Sequence, residues 1–358
     1  MAFMMLENPL LDSHRADGAM LGTYFGCPLP ARFTNSEAEY RAARDSVVLA
    51  DTNFHAIFGF EGPDRARYLN AILTSNVRDL PPGQGTVGLL LNPQGHILAE
   101  IETLARDDSI IAVSHASVRE STAATIEQFI IMDDIMFNDE TPSIGSVALA
   151  GPQAAEVLQH LSGVHLASLA GRAHQGISIE GIRSRLVRRD FRGQAGAELF
   201  TPHEHLPVLW KALSAAVRQA GGGPIGFETI NSLRLEAGIP WFGYDFGDSV
   251  IPHEAGLENS HISYTKGCYT GQEIVERVRS RGHVNRRRVG LRFDGDASPA
   301  LGSKLSAGAA EAGYVTSAAY SYALGKNIGM GYVRREHSAS GTKLQSESGP
   351  AEVIDLPL

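Results

Sequence analysis

The chain has 358 residues, 43% of them hydrophobic, so it can bury a sizeable core and predicts two or three domains. Its formal net charge of −9 argues against general binding to nucleic acid or to an acidic membrane surface. No apolar run is long enough to span a bilayer, and the N-terminal residues lack the basic start of a signal peptide. These features predict a cytoplasmic protein with no membrane partner.

The chain contains two cysteines, Cys27 and Cys268. So few thiols fit a reducing cytoplasm and argue against a disulfide framework. The sequence has no HExxH, no CxxC and no clustered Cys/His spacing, so we predict no metal site. Because an iron–sulfur cluster takes about four ligands, a single thiol could hold one only together with a partner or small thiols.

The N-terminal half predicts alternating strands and helices. Asn35 and Ser36 predict the start of a helix over Ser36–Asp45. A strand followed by Gly-Pro and an amphipathic helix occurs twice, with the Gly-Pro pairs at Gly62 and Gly151. Two such units roughly ninety residues apart predict an internal duplication in an α+β fold, with repeats near 51–145 and 146–220.

The C-terminal half begins with further strands and helices and then changes character. We predict strands at 177–179 and 183–188, a turn at 193–196, a helix over 205–220 and a break in regular structure at 221–224. From Arg288 onward, short alternating segments with Gly and Ser turns predict a small all-β domain. The predicted domains are therefore a body over 1–285 and a barrel over 286–358.

The octet KGCYTGQE, from Lys266 to Glu273, is the most distinctive stretch of the chain. Thr270 followed by Glu273 predicts a capping box and a helix that starts at about Thr270. Cys268 would then precede a helix N-terminus, whose amide groups, together with Lys266, would lower the pKa of the thiol. The alternative is a buried, inert cysteine in a glycine-rich turn, and the residues alone leave both interpretations open.

The pattern K-G-C-Y-x-G-Q-E, with Arg277 soon after it, resembles the signature of the YgfZ-type folate-binding proteins of iron–sulfur cluster maintenance. The stretch Ser232–Glu258 is similar to one that these proteins share with the T-proteins of glycine cleavage. The resemblance covers all but the extreme N-terminus. It implies an α+β body with duplicated ferredoxin-like halves around a central folate pocket, and a C-terminal all-β barrel. It also implies tetrahydrofolate or a derivative as cofactor and iron–sulfur proteins as clients.

The same resemblance assigns roles to individual residues. Arg234 matches a family arginine that contacts the folate, although an arginine among leucines otherwise predicts pairing with an internal carboxylate. Glu198 matches a glutamate that hydrogen-bonds the pterin, a task suited to a carboxylate because it can accept two parallel N–H bonds. Cys268 would be the functional thiol, assisted by Lys266. The resemblance further implies that Gln272 shapes the loop and that Glu100 could contact the cofactor.

Two departures from the T-proteins bear on the reaction. T-proteins carry an Asp pair that orients the folate nitrogen and its one-carbon unit, whereas this chain has Ala99 and Glu100 there. A T-protein histidine position is occupied by Phe54. We therefore predict a tetrahydrofolate-binding protein that assists iron–sulfur cluster assembly or repair through Cys268. The alternatives are a folate-dependent aminomethyl- or methyltransferase of the T-protein type and a non-catalytic folate sensor, so catalysis stays open.

Overall fold

The structure is a computed structural model that describes residues 8–191 and 194–358, apart from the side chains of residues 190, 191, 194, 195 and 281. Its α-helices are α1 (Leu11–Ala16), α2 (Ser36–Asp45), α3 (Arg65–Ile72), α4 (Arg119–Phe129), α5 (Ala154–Ser162), α6 (Leu206–Gln219), α7 (Phe227–Glu236), α8 (Pro252–Ala255) and α9 (Gln272–Arg281). Its β-strands are β1 (Met20–Tyr24), β2 (Cys27–Arg32), β3 (Val48–Asp51), β4 (His55–Glu61), β5 (Gly85–Leu91), β6 (Ile97–Ala105), β7 (Ser109–His115), β8 (Met136–Asp139), β9 (Ile144–Ala150), β10 (His174–Ile179), β11 (Ile182–Phe191), β12 (Gln194–Pro202), β13 (Gly223–Ile225), β14 (Arg286–Phe293), β15 (Lys304–Ala307), β16 (Ala310–Ser321), β17 (Lys326–Arg334), β18 (Lys343–Ser346) and β19 (Gly349–Ile354).

The chain divides into two compact units. The first unit comprises Met1–Asn70, Asn76–Val87 and Ile101–Thr229, and the second comprises Ala71–Ser75, Gly88–Glu100 and Ile230–Leu358. None of the helices in the described part of the chain is long and apolar enough to cross a membrane.

The first unit contains a six-stranded sheet in the order β10-β11-β12-β9-β3-β13. One face of this sheet is covered by α5 and α6, whose apolar stripes bury Leu158, Trp210 and Leu213 against Leu149 and Leu199. The opposite face packs on the five-stranded sheet that contains β4, β6 and β7, through a smaller apolar cluster of Ile57, Leu104, Val113, Val187 and Phe200. The space between the two sheets is therefore lined by residues that alternate along β11 and β12.

Strand β11 shows this alternation most clearly. Leu186 belongs to the core on the helical side, and Val187 belongs to the cluster between the sheets. Since successive side chains of a strand point to opposite faces, Arg185 and Arg189 lie on the same face as Val187. Glu198 is paired directly across from Val187 on β12, so it lies on that face as well. The sequence therefore places three charged groups on the face between the sheets.

The second unit contains a closed six-stranded barrel in the order β14-β17-β16-β15-β18-β19. Its interior is filled by Leu291, Phe293, Val333 and Val353, and the residues of β14 and β19 alternate between this interior and more exposed positions. The predicted α+β class with a C-terminal all-β barrel is confirmed. The domain boundary between 285 and 286 and the internal duplication stay predictions.

The predicted positions of individual helices, breaks and turns were confirmed in part. Helix α2 has the predicted bounds, and the Asn35 side chain accepts a hydrogen bond from the Ala38 amide at 2.8 Å. The break predicted at 221–224 is confirmed at Gly221 and Gly222, which follow the end of α6, and is wrong at Gly223 and Pro224, because Gly223–Ile225 forms β13 and pairs in parallel with β3. A Cβ atom at Gly222 would collide with the Val47 carbonyl, so glycine permits this approach of the two backbones. The turn predicted at 193–196 begins at Gly193, outside the described residues.

Candidate functional site

Four ionisable side chains meet between the two sheets of the first unit, and we call them the Glu198 cluster: His55, Glu102, Arg189 and Glu198. Glu198 Oε1 lies 2.8 Å from His55 Nε2. Glu198 Oε2 accepts hydrogen bonds from Arg189 Nε at 2.9 Å and from Arg189 Nη2 at 2.7 Å. Arg189 Nη1 donates to Glu102. Glu198 is 3% exposed, so this carboxylate is bound by protein groups and not by bulk water.

The charges in the Glu198 cluster compensate one another. Burial alone would raise the pKa of Glu198, but His55 and Arg189 outweigh burial and hold that pKa well below its usual range. Burial alone would lower the pKa of Arg189, but Glu102 and Glu198 raise it. The carboxylate and the guanidinium are therefore both ionised at neutral pH.

The hydrogen bonds of Glu198 limit what it can bind. An ionised carboxylate offers about four acceptor positions, and three of those on Glu198 are used by His55 and Arg189. One position on Oε1 is left for a ligand donor. Two parallel bonds to a pterin, as the resemblance implies, would require His55 or Arg189 to move. The role of Glu198 in folate binding stays a prediction.

Aromatic rings lie beside the cluster in the first unit. Phe54, at the position of the T-protein histidine, stacks on Phe25 with ring centroids 4.7 Å apart and lies 4.7 Å from the ring of His55. Phe25 has a φ of 54°, a left-handed conformation that costs energy for a side chain of this size, and it lies in the turn between β1 and β2. An aromatic ring without ionisable groups can stack on a ligand but cannot exchange a proton with it.

Sequence reasoning did not identify His55, Glu102 or Arg189 as site residues. The available indication was the charge of a strand predicted over 183–188, because charged residues on a buried strand require partners. The partners themselves are not visible in the sequence, since Arg189 and Glu102 are separated by 87 positions.

In the second unit, Arg234 lies near the end of α7 and is 4% exposed. It donates to Asp245 and, through Nε, to Asn231 at 2.9 Å, and its guanidinium lies 4.7 Å from the centre of the Trp241 ring. Burial lowers the pKa of Arg234, with Asp245 acting in the opposite direction. Pairing with an internal carboxylate, one of the two interpretations of Arg234, is therefore observed. Contact with folate stays a prediction.

Asp245 is the centre of this buried network. It is completely buried and also accepts hydrogen bonds from Thr316 at 2.6 Å, from Ser317 and from the Trp241 amide at 3.0 Å. The carboxylate is thus satisfied by neutral donors as well as by Arg234, which fixes the position of the guanidinium.

The carboxylate of Glu100, also in the second unit, is held by His261. The His261 Nε2 atom lies 2.8 Å from Glu100 Oε1, and the His261 Nδ1 atom lies 2.7 Å from the Ser260 hydroxyl. The Glu100 side chain is 26% exposed, whereas Ala99 is fully buried. Of the two residues at the position of the T-protein Asp pair, Glu100 therefore presents the only carboxylate, and it is partly accessible to solvent.

The KGCYTGQE motif begins a helix, but the predicted capping box is wrong. Helix α9 starts at Gln272, and its N-cap is Gly271, which has a φ of 82° and provides no side-chain cap. A Cβ atom at Gly271 would lie 2.7 Å from the Asn92 carbonyl, so the close approach of two backbone segments requires glycine. Gln272 is therefore the first helical residue, and its amide bonds back to the Tyr269 carbonyl at 3.2 Å.

Lys266 and Cys268 differ in exposure. The ammonium group of Lys266 donates to the Leu73 carbonyl and lies 4.9 Å from the centre of the Tyr269 ring. Burial lowers the pKa of Lys266 to about 8. Cys268 is exposed, which argues against the alternative of a buried cysteine, whereas Cys27 is buried and its thiol pKa is raised by burial and by Asp51 to about 11. Within the described ranges, no group of three His, Cys, Asp or Glu side chains could hold a metal ion.

Two family models match the chain: the GCVT N-terminal domain over residues 10–262 and the glycine cleavage T-protein C-terminal barrel domain over residues 286–358. An aminomethyltransferase of Streptomyces coelicolor is 30% identical over 98% of this chain and 97% of its own length. An aminomethyltransferase of Rubrobacter xylanophilus is 29% identical over 98% of this chain and 93% of its own length. These relatives are aminomethyltransferases by name, so assignment to the YgfZ-type group stays a prediction.

The fold agrees with this match. The crystal structure of glycine cleavage system aminomethyltransferase T from Bartonella henselae superimposes with a TM-score of 0.89, covering 99% of this chain and 98% of that chain at 24% identity. Aminomethyltransferases of this kind use tetrahydrofolate, in agreement with the predicted cofactor. Since the N-terminal model alone covers most of the sequence, the chain belongs to the family of proteins with a GCVT N-terminal domain and a glycine cleavage T-protein C-terminal barrel.

Proposed function

We propose that the protein is a tetrahydrofolate-dependent transferase of one-carbon units, of the aminomethyltransferase type. Family membership and the relatives named aminomethyltransferase support this function over the predicted role in iron–sulfur cluster assembly. The absence of a carboxylate at Ala99, the first position of the T-protein Asp pair, argued against aminomethyl transfer. The observation that carries the proposal is the Glu100 carboxylate, held by His261 one position beyond Ala99.

A carboxylate at this place suits the reaction. The aminomethyl carbon forms bonds to two folate nitrogens, each of which loses a proton, while its bonds to the thiol sulfur and to the amine break and the departing thiol and ammonia each gain one proton. A positioned carboxylate can accept the first proton and return it, a contribution typically worth about 10²- to 10⁴-fold in rate. In this proposal the hydrogen bond from His261 orients Glu100, and its partial exposure allows contact with substrate.

Other groups, each considered within its own unit, have chemistry suited to a part of tetrahydrofolate. Glu198 keeps one acceptor position on Oε1 for an N–H group of the pterin. Phe54, stacked on Phe25, supplies an apolar ring beside His55. Arg234 would contribute positive charge, with Asp245 fixing its orientation. Gln272 would support the loop before α9. Each of these roles is part of the proposal.

The test is formation of methylene-tetrahydrofolate and release of ammonia from an S-aminomethyl thiol donor. We expect tetrahydrofolate-dependent turnover by the native chain and a loss of at least about 100-fold in Glu100→Gln, which keeps the shape but not the charge. Glu37→Gln is the matched control, because Glu37 is an exposed carboxylate that forms an ion pair with Arg41. Absence of turnover in the native chain would contradict the proposal, as would full activity of Glu100→Gln.

The exposure of Cys268 in its distinctive motif favours a second candidate function. In this candidate the protein binds tetrahydrofolate and assists assembly or repair of iron–sulfur clusters in client proteins, with Cys268 as the functional thiol and Lys266 nearby in sequence. An exposed thiol can reach a client protein, whereas Cys27 cannot.

Cells lacking their own homologue distinguish this candidate from the transferase. The native chain, Cys268→Ala and the control Cys27→Ala would each be expressed, and the activity of iron–sulfur enzymes would be measured. Loss of rescue only in a folded Cys268→Ala variant would support the thiol-dependent role. Equal rescue by Cys268→Ala would exclude the thiol mechanism, and no rescue by the native chain would exclude the candidate.

A further inference from the structure

The first unit has a second charged region, which the proposed function does not use. Strand β10 is the outer strand of the six-stranded sheet, and two cavities of about 950 Å³ and about 570 Å³ lie beside it. Both cavities are lined by Arg106, Gly176 and Arg185, and the smaller one also by His174. We call the space lined by these four residues the Arg185 cleft.

Arg185 forms no ion pair in the described part of the chain, although Asp107 and Asp108 also line the smaller cavity. Its Nη1 atom donates to His174 Nδ1 at 2.9 Å, and among the described residues no carboxylate lies within ion-pair distance of Arg185. An imidazole nitrogen that accepts a hydrogen bond carries no proton, so the proton of a neutral His174 is on Nε2. Burial and, after it, the charge of Arg185 lower the pKa of His174 to about 4, which keeps the ring neutral.

The second ring nitrogen of His174, Nε2, is a hydrogen-bond donor that is not used. His174 is 4% exposed, and its Nε2 atom has no hydrogen-bond partner in the described part of the chain. The carbonyls of Gln84 and Ala105 lie near the ring and raise its pKa, but neither lies within hydrogen-bond geometry of Nε2. A buried N–H group without an acceptor is costly, so an incoming acceptor would be favoured here.

Two cations act on each other in the cleft. Burial lowers the pKa of Arg185, and the neighbouring charge of Arg106 lowers it further, while Asp108 has a smaller effect in the opposite direction. Asp108 is a weak counter-charge, because its side chain is 81% exposed and lies 3.9 Å from Arg106. Asp107 also lines the smaller cavity, so the excess of positive charge lies in the larger cavity, which is lined by Arg106, Arg183 and Arg185 and by no described carboxylate.

We propose that the Arg185 cleft binds a small ligand that bears an oxyanion, a carboxylate or a phosphate, through Arg185, Arg106 and the Nε2–H group of His174. Two guanidinium groups and a neutral imidazole donor match the acceptors of such an anion. The space is open at the strand, because a Cβ atom built on Gly176 would meet nothing within 4 Å. The ligand is therefore held at the outer edge of the sheet, by groups separate from the Glu198 cluster.

The experiment is a calorimetric titration at constant ionic strength with inorganic phosphate, pyrophosphate and tricarballylate as three separate probes. We expect saturable binding of at least one probe and at least about tenfold weaker binding by Arg185→Gln, equivalent to about 1.4 kcal/mol. Arg106→Gln, which changes an exposed residue, should weaken binding in the same direction. Preference for phosphate or pyrophosphate would identify a phosphate ligand, and preference for tricarballylate would identify a carboxylate ligand.

Arg41→Gln is the matched control, since it removes one positive charge from an exposed ion pair on α2. If Arg41→Gln weakens binding as much as Arg106→Gln does, the effect is general electrostatics and the proposal is overturned. It is equally overturned if no probe binds saturably to the native chain. Because the Arg106 side chain is exposed, loss of binding in a folded Arg106→Gln variant cannot be attributed to unfolding.

Discussion

Arg185 and Arg189 lie on the same face of the same strand, yet their surroundings are opposite. Arg189 is fixed by two carboxylates, Glu102 and Glu198, which are contributed by β6 and β12. Arg185 instead donates to the neutral ring of His174 on β10. The comparison shows that residue type and strand position do not decide the role of a buried cation. The role of the cation depends on whether the neighbouring strands contribute a carboxylate that pairs with it.

The consequence is a difference in what each arginine can do. In the Glu198 cluster, removal of one partner leaves another charge buried without compensation, so the cluster resists change. In the Arg185 cleft, an added anion would supply the compensation that the protein lacks. The Glu198 cluster is therefore organised for stability and orientation, and the Arg185 cleft for binding.

The largest expected difference is in folding stability. Arg189→Met should lower the free energy of unfolding by about 3–5 kcal/mol, because Glu102 and Glu198 each lose a buried cationic partner and keep only Arg172 and His55, respectively. Arg185→Met should change it by less than about 1 kcal/mol, since it loses one hydrogen bond to a neutral acceptor and also removes an uncompensated cation. Urea unfolding of both variants measures these values. A similar destabilisation in the two variants would show that the arginines are not distinct.

The two regions should also respond to different ranges of pH. The pKa of His174 is lowered to about 4, so the unfolded chain binds a proton between the ordinary pKa of about 6.5 and about 4, and the native chain does not. Stability is therefore lost as the pH falls through this range, by up to about 3 kcal/mol. The pKa of Glu198 is held below its usual value, so its contribution is lost only as the pH falls below about 4.3.

Substitutions of His174 and Glu198 should distinguish the two pH ranges in which stability is lost. His174→Gln should remove the loss of stability between about pH 6.5 and pH 4, and Glu198→Gln should remove only the loss below about pH 4.3, relative to a lower starting stability. Urea unfolding at several pH values, with Glu37→Gln as an exposed control, gives the comparison. An unchanged pH profile in His174→Gln would mean that this histidine titrates normally in the native protein.

Much of the fold could be predicted from the sequence, because local patterns determine it. Asn35 predicted the start of α2, and alternating segments after Arg288 predicted the barrel. The capping box at Thr270 was wrong because a glycine in the left-handed conformation, Gly271, takes the N-cap position where two backbone segments approach closely. Such tertiary contacts are not encoded in a local spacing.

The candidate site could be predicted less completely. Glu198, Arg234 and Glu100 were identified by resemblance, but their partners Arg189, Asp245 and His261 were not. Each of these pairs is decided by how elements pack, and no periodicity reveals it. The position of Ala99 predicted a missing carboxylate correctly, whereas the support of Glu100 by His261 became visible only in the structure.

The smallest expected effect is the most direct measure of the missing counter-charge. In NMR titrations, the His174 ring should titrate near pH 4, and Arg185→Gln should raise its pKa only part of the way to the usual value, because burial, the larger cause, remains. A bound anion should raise that pKa too, since a negative charge beside the ring favours the imidazolium. Addition of the probe that binds saturably should therefore shift the titration of His174 in the native chain, and at the same probe concentration should shift it less in Arg106→Gln, with the resonance assigned from its absence in His174→Gln. If that bound probe leaves the titration unchanged, His174 does not contact the anion, and the Arg185 cleft differs from the Glu198 cluster in charge alone.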